Sequence, residues 1–326
     1  SRMVVQLFGF DAGDRILPIA PWPSFVGMRT LLRAHLAGAA LVSAWIDKTR
    51  EALGDTLRRY GVTRMYATPW HLRRLLQSPA PSRPWPPLRS VNTTGAAITI
   101  EEIMAARSQL APNLFVEYGT NEISYVAQLR PDAAPLPGCV GSLLPGVEMR
   151  ADDESGNPLP PGQVGDLGFR CAWMCSEYAG NPEATRLHFR GGWFYPGDAG
   201  YLDAGNRLFI SGRTLEAINC GGLKIWPDEI ESVIKRHPMV TDVAVVGLPH
   251  PLAGQIAAAF VVLRPTIVLR VSPRELHEFC AISLEKPRVP PHFFIVARIP
   301  RNQAGKVMRD NLISAYPGAA EMVRDS

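Results

Sequence analysis

The chain has 326 residues, 46% of them hydrophobic and 20% charged, with 34 Lys plus Arg against 30 Asp plus Glu and a formal charge of +4. This composition excludes a disordered or fibrous protein, and the length, above the roughly 250 residues at which single cores stop growing, predicts two domains. The basic excess is small and spread along the chain, which argues against a nucleic-acid partner.

Ile16 to Ala20 is apolar and extended, and Gly27 to Leu36 has helical spacing, the alternation of an α/β layer. The apolar run Leu31 to Ile46 is broken by Arg33 and His35 and is too short to cross a bilayer, and no signal peptide or membrane span is expected. Thr68 followed by Pro69 predicts a helix start, with a capping side chain and a pre-set dihedral. Pro79 to Pro87 reads as a surface loop, and Thr99 with Glu102 as the capping box of another helix. From Gly138 to Arg213 short strands alternate with Asp153-Glu154-Ser155-Gly156-Asn157 and Asp203-Ala204-Gly205-Asn206, which predict hairpin turns of a β-rich subdomain over 138–211. After Gly212 the rhythm changes to a helix from Pro227, strands at Val240 to Leu248 and Ile256 to Leu263, a helix opening at Ser272-Pro273-Arg274-Glu275, and a strand at Phe293 to Val296. That order predicts a small α+β domain of about a hundred residues. Five scattered cysteines, Cys139, Cys171, Cys175, Cys220 and Cys280, have no zinc-ligand spacing and no paired framework and read as reduced thiols of a cytoplasmic protein, with Cys171 and Cys175 read as small buried residues rather than as a redox or metal pair.

Gly192-Trp193-Phe194-Tyr195-Pro196-Gly197-Asp198, then Gly212-Arg213, then Gly221-Gly222-Leu223-Lys224-Ile225 with Glu229-Ile230-Glu231 form an ordered series. The series resembles the AMP-forming acyl-adenylate superfamily of acyl-CoA synthetases, peptide-synthetase adenylation domains and firefly luciferase, whose comparable motifs are G-W-x-x-T-G-D, G-R-x-D and G-G-x-K-I-x-P-x-E-I-E. Upstream, Glu117-Tyr118-Gly119-Thr120-Asn121-Glu122 is similar to the superfamily's Y-G-x-T-E signature, and Thr94-Gly95-Ala96-Ala97 to its G-G-A-P stretch. Near the end, Ile299-Pro300-Arg301-Asn302-Gln303-Ala304-Gly305-Lys306-Val307-Met308-Arg309 resembles P-R-T-x-x-G-K-x-x-R.

The resemblance implies a partial large adenylate-forming domain over 1–213, made of α/β layers and the β-rich subdomain, and a mobile small α+β domain over 214–326. It implies a ligase that joins a carboxylic acid to AMP at the expense of ATP with Mg2+, then passes the acyl group to coenzyme A or to carrier-protein pantetheine. In that frame Tyr118 stacks on adenine, Thr120 bonds the α-phosphate and Glu122 holds magnesium: an aromatic face for a base, a hydroxyl for phosphate, an anion for a hard cation. Gly95 and Ala96 let adenine approach the backbone, Asp198 takes two ribose hydroxyls, and Arg213 offers a fork of donors to the nucleotide. Gly221 and Gly222 leave room for the pantetheine arm, and Lys306 offsets the charge that gathers as a carboxylate meets phosphate. Outside the series Asp198 is a turn residue, Arg213 a surface ion pair, Lys306 a solvated loop lysine and Gly221-Gly222 a turn. Trp22, Trp70, His71 and Tyr125 are candidates for an acyl pocket, although isolated aromatics are more often ordinary core.

The sequence departs from the superfamily's pattern in four places. A loop of the form S/T-G-T-T-G-x-P-K, which cradles the outer phosphates of ATP, is expected before Asp14 and does not occur in the 326 residues. The expectation is an amino-terminally truncated chain, inactive in adenylation alone, completed by more of its own chain or by a partner polypeptide. Leu215 stands at the hinge Asp or Lys, Ser24 at the histidine of P-x-x-H-x-x-G, and Pro196 at the threonine of T-G-D. These departures leave open a non-catalytic module that binds an adenylate or acyl-CoA.

Overall fold

The computed structural model describes residues 5–6, 8–19, 25–43, 49–221, 223–264, 271–302 and 306–319, with the backbone alone at Phe25 and Leu215. The chain packs as two compact units, one drawn from 1–149, 169–194 and 203–209, the other from 150–168, 195–202 and 210–326.

In the first unit five parallel strands lie side by side in the order Ala40–Leu41, Arg15–Pro18, Arg64–Ala67, Ser90–Thr93 and Leu114–Thr120. Strands Arg64–Ala67 and Ser90–Thr93 are buried at every position, as a parallel sheet covered on both faces requires. Helices Arg50–Tyr60, Pro69–Gln77 and Ile100–Gln109 alternate with them in sequence, and Leu53, Leu57, Leu72 and Ile103 meet Leu17, Met65, Val91 and Leu114 in one core. The helix starts fall where the sequence places them. Thr68 precedes Pro69, and its hydroxyl and amide both lie on His71 Nδ1, at 2.9 and 3.3 Å. Thr99 Oγ1 accepts from Glu102 N at 3.2 Å while Glu102 Oε2 accepts from Thr99 N at 2.9 Å. The strand expected at Ile16 to Ala20 runs Arg15–Pro18, and Ala20 lies outside the described residues.

Beyond Leu114–Thr120 the sheet turns antiparallel through Ser124–Leu129 and Cys139–Leu143. The register shifts between Tyr118 and Gly119, and a side chain at Gly119 would overlap the Ser124 carbonyl, so only glycine fits this close approach.

In the second unit strand Gly254–Leu263 is the centre of a five-stranded sheet. It pairs antiparallel with Val240–His250, antiparallel with Ile218–Cys220 at Cys220 and Gly254, and parallel with His292–Ile295; Leu223–Ile225 adds to Ile218–Cys220. Alternation divides the core. Val243, Val245, Ala259 and Val261 face helices Pro227–Ile234 and Pro273–Ala281 through Ile230, Ile234, Leu276 and Cys280, while Ala244, Val246, Ala258 and Phe260 pack with Leu312 of helix Arg309–Ala315. The mixture of α/β and α+β layers is that expected from the sequence. Both hairpin turns close on an aspartate: Asp153 Oδ1 accepts from the amides of Ser155 and Asn157, and Asp203 Oδ1 from those of Gly205 and Arg207.

Candidate functional site

Thr93 pairs with Val116 in the parallel ladder, so Gly95 and Tyr118 each follow that pair by two residues, at the carboxyl ends of neighbouring strands. This is the edge on which open α/β sheets bind ligands. Gly95 takes a φ of +94° with open space where a Cβ would stand, Ala96 is exposed, and Tyr118 is half-buried with its ring 5.9 Å from that of Phe169.

Thr120 ends its strand and pairs with Ser124, so Glu122 stands at the tip of the intervening turn. The Thr120 hydroxyl is buried without a hydrogen-bond partner. A polar atom left so costs about 1–3 kcal/mol, and a ligand oxygen would relieve it. Glu122 Oε1 accepts from Tyr178 Oη at 2.7 Å, and Glu122 makes no ion pair among the described residues. The backbone of the turn is clamped separately: Cys175 N donates to the Glu122 carbonyl at 2.9 Å and Trp173 Nε1 to the Ile123 carbonyl at 2.8 Å. Tyr178 is itself fixed. Its amide donates to Thr185 Oγ1 at 3.0 Å, Thr185 Oγ1 donates to the Asn181 carbonyl at 2.9 Å, and its ring meets the edges of His188 and Phe189. Burial first, then the bond to Glu122, pushes the phenol far above its ordinary range, so it remains a neutral donor.

Among the proposed pocket aromatics, His71 is committed to the helix start at Thr68, and Trp70 lies edge-on to it at 5.0 Å. Tyr125 is buried beneath the guanidiniums of Arg29 and Arg33, 3.8 and 4.3 Å from its ring centroid. Trp22 and Ser24 lie outside the described residues.

In the second unit the structure joins two residues that the resemblance assigned separately. Arg213 Nη1 donates to Asp198 Oδ1 at 2.8 Å, and Asp198 is buried. The Gly197 carbonyl accepts from Thr214 N at 2.7 Å, and Thr214 Oγ1 donates to Asp166 Oδ1 at 3.3 Å, which holds the Pro196-Gly197-Asp198 turn against the start of the short helix Thr214–Glu216. Gly221 has a φ of +58° with nothing within 4 Å of a notional Cβ; Gly222 and the side chain of Leu215 lie outside the description.

Lys306 is half exposed, with Nζ 3.9 Å from Glu216 Oε1, and its amide donates to Asn302 Oδ1 at 2.9 Å while its carbonyl accepts from Asn302 N at 2.9 Å. Arg309, three residues on, is far more deeply engaged. It contacts Glu216 at 2.7 Å, Glu231 Oε1 at 2.8 Å, Asp228 at 3.6 Å and the Val245 carbonyl at 3.2 Å, and Glu231 Oε1 also accepts from Val245 N at 3.0 Å. Burial, then the neighbouring Glu231, raises the Asp228 carboxyl to about 6, with Arg309 opposing the shift. The sequence motifs contained Arg309 and Glu231 without indicating a role for either. Glu216 and Tyr178 carried no signal at all: Tyr178 precedes Ala179-Gly180-Asn181-Pro182, which reads only as a turn and a helix start.

The family described as AMP-binding enzyme matches residues 1–179, and the AMP-binding enzyme C-terminal domain matches residues 229–306. The fatty acid–acyl-carrier-protein ligase ScoC of Streptomyces coeruleorubidus is 33% identical over 290 residues, covering 86% of this chain and 55% of that protein. The sulfoacetate–CoA ligase of Cupriavidus necator is 30% identical over 304 residues, covering 92% of this chain and 59% of that protein. O-succinylbenzoate coenzyme A synthetase (MenE) from Bacillus subtilis, solved with ATP and a magnesium ion, superposes with a TM-score of 0.84 at 26% identity over 95% of this chain and 63% of that one. The chain thus spans between half and two thirds of the length of these relatives.

Proposed function

The chain belongs to the AMP-binding enzyme family, and from that premise we propose that it is the adenylate-handling part of an AMP-forming acid:thiol ligase. A carboxylate oxygen attacks the α-phosphorus of ATP, the bond to pyrophosphate breaks, and a thiol then displaces AMP from the acyl carbon to leave a thioester. The observation that carries this reading is the turn at 120–122, where a buried hydroxyl without a hydrogen-bond partner stands two residues from a fixed carboxylate that makes no ion pair among the described residues.

Thr120 bonds the α-phosphate, and Glu122 holds magnesium, which supplies positive charge to the phosphate oxygens. Gly95 and Ala96 admit the adenine that stacks on Tyr118. Asp198 takes the ribose hydroxyls, and Arg213 holds that carboxylate while offering its remaining donors to the nucleotide. Lys306 offsets the charge that develops in adenylation. The pantetheine arm of coenzyme A or of a carrier protein passes close to the backbone at Gly221 and Gly222, and its thiol takes the acyl group. Residues 1–213 form the adenylate-binding domain and 214–326 the mobile one, and the loop that cradles the outer phosphates comes from more of the same chain or from a partner polypeptide. A second reading, a non-catalytic module that binds an adenylate or acyl-CoA, is favoured by Leu215, Ser24 and Pro196.

Two measurements on the chain separate these readings. Calorimetry with a non-hydrolysable acyl-adenylate is expected to show binding, and no binding removes both. Preformed acyl-adenylate with coenzyme A or pantetheine is expected to give thioester without ATP; binding without thioester leaves the second reading standing. In the protein completed by its phosphate loop, Lys306→Ala is expected to lower pyrophosphate exchange about 100-fold or more while sparing thioester formation from preformed adenylate. Equal exchange in both proteins removes Lys306 from the mechanism.

A further inference from the structure

We propose that Tyr178 is the positioning residue for Glu122: its hydroxyl sets the carboxylate so that the second oxygen and the whole negative charge are presented to a divalent cation. The inference rests on the reading of Glu122 given above.

The turn backbone does not need this hydroxyl. Cys175 N and Trp173 Nε1 already hold the carbonyls of Glu122 and Ile123, so what the Tyr178 bond adds is the orientation of a side chain with three rotatable bonds. The choice of donor carries the argument. Carboxylates of the same unit that tie elements together are held either by guanidiniums, Glu102 by Arg73 at 2.5 Å and Asp14 by Arg64 and Arg89 each at 2.8 Å, or by more than one neutral donor, Glu51 by the amide and hydroxyl of Ser82 and Glu117 by Asn92 and Gln128. Among the described residues Glu122 takes a single neutral donor, on one oxygen. An arginine orients a carboxylate and cancels its charge. A neutral hydroxyl orients it and leaves the charge.

Tyr178 is also built as a rigid donor. The Thr185 hydroxyl receives its amide and returns to the Asn181 carbonyl, and Asn181 Oδ1 caps helix Pro182–His188 through Ala184 N at 3.0 Å. Ring contacts to His188 and Phe189, at 5.9 and 5.4 Å between centroids, fix the plane. None of these supports involves the hydroxyl, so Tyr178→Phe retains them and deletes one hydrogen bond.

The test is Mn2+ binding, counted by electron paramagnetic resonance as a probe of the magnesium site, in the 326-residue chain with saturating AMP. Tyr178→Phe is expected to weaken Mn2+ by about 10- to 100-fold, the usual consequence of losing a partner that orients a metal ligand, with metal-free AMP affinity unchanged. Glu122→Asp keeps the charge but withdraws it from Tyr178. It is expected to lose a similar factor, and the double variant no more than either single one, a non-additivity that a general loss of stability does not produce. Mn2+ affinity within twofold of wild type in Tyr178→Phe, with Glu122→Gln losing it, overturns the inference and leaves the site reading intact. If AMP binds and Glu122→Gln keeps Mn2+, the metal role of Glu122 falls and the inference with it. If AMP does not bind, the proposed function itself is wrong.

Discussion

Arg309 ties the short helix Thr214–Glu216, helix Pro227–Ile234 and strand Val240–His250 to the segment carrying Lys306, through Glu216, Glu231 and the Val245 carbonyl. Glu231 is buried and would keep only the Val245 amide if the guanidinium were lost. Breaking one side of a buried pair costs ~3–5 kcal/mol, and the 15% exposure of Arg309 moderates that, so Arg309→Met is expected to destabilise by about 2–4 kcal/mol in chemical denaturation. A loss below about 1 kcal/mol would mean that water replaces the guanidinium and that the network is peripheral. Asp228 gives the same cluster a pH signature. Its carboxyl, raised to about 6, holds its proton more tightly in the folded chain than in the unfolded one, where aspartate titrates near ~4. Its contribution to stability is therefore most favourable below about pH 4 and is lost as pH rises to about 6. Because the side chain is 39% exposed, screening holds that loss to about 1 kcal/mol or less. Asp228→Asn should flatten this part of the stability profile. An unchanged difference between pH 4 and pH 6.5 in paired wild-type and variant melts contradicts the assignment.

Helix starts depend on the residues next to them in sequence, which is why they were legible. Thr99 with Glu102, and Ser272 with Glu275, each close a reciprocal box across three residues, and the backbone bond from Glu275 N to Ser272 Oγ is 3.2 Å. Thr99→Ala is expected to cost about 1 kcal/mol, read from the denaturation midpoint. The strand bounds shifted by only a residue or two. The pairings of the candidate site were not legible. Tyr178 and Glu122 are 56 residues apart, Arg213 and Asp198 are 15, and Arg309 and Glu231 are 78. No local pattern encodes which distant side chain a turn will meet, so the motifs supplied the residues and the fold supplied their partners. Gly119 shows the limit from the other side. Its place in Tyr118-Gly119-Thr120 marked a motif, but the need for glycine comes from the Ser124 carbonyl across the register shift. Gly119→Ala must push these two strands apart and carry Thr120 and Glu122 with them. The expected result is a stability loss of about 2 kcal/mol or more together with weakened adenylate binding. A variant that melts normally and binds normally would show that the pair yields easily there.

The net charge of +4 is spread over 326 residues and says little about phosphate binding, which depends on convergent donors rather than on total charge. The donors assigned in the proposal address AMP: an aromatic ring, a hydroxyl, a carboxylate for the ribose and an arginine beside it. None addresses the β- and γ-phosphates, whose recognition in such proteins relies on a run of free backbone amides with a lysine, and that run does not occur in the sequence. The chain should therefore fail to distinguish ATP from AMP. Calorimetry without magnesium, so that no cation on Glu122 favours the triphosphate, is expected to give affinities within about threefold of each other, because the two added phosphates gain no directed hydrogen bonds and remain largely in water. Adding a segment that carries such a loop should raise ATP affinity by about tenfold or more and leave AMP affinity where it was, since only the outer phosphates meet the new amides. The opposite result is equally informative. If the 326-residue chain alone holds ATP about tenfold tighter than AMP, its own residues already cradle the outer phosphates, and the assignment of those phosphates to a separate loop is wrong.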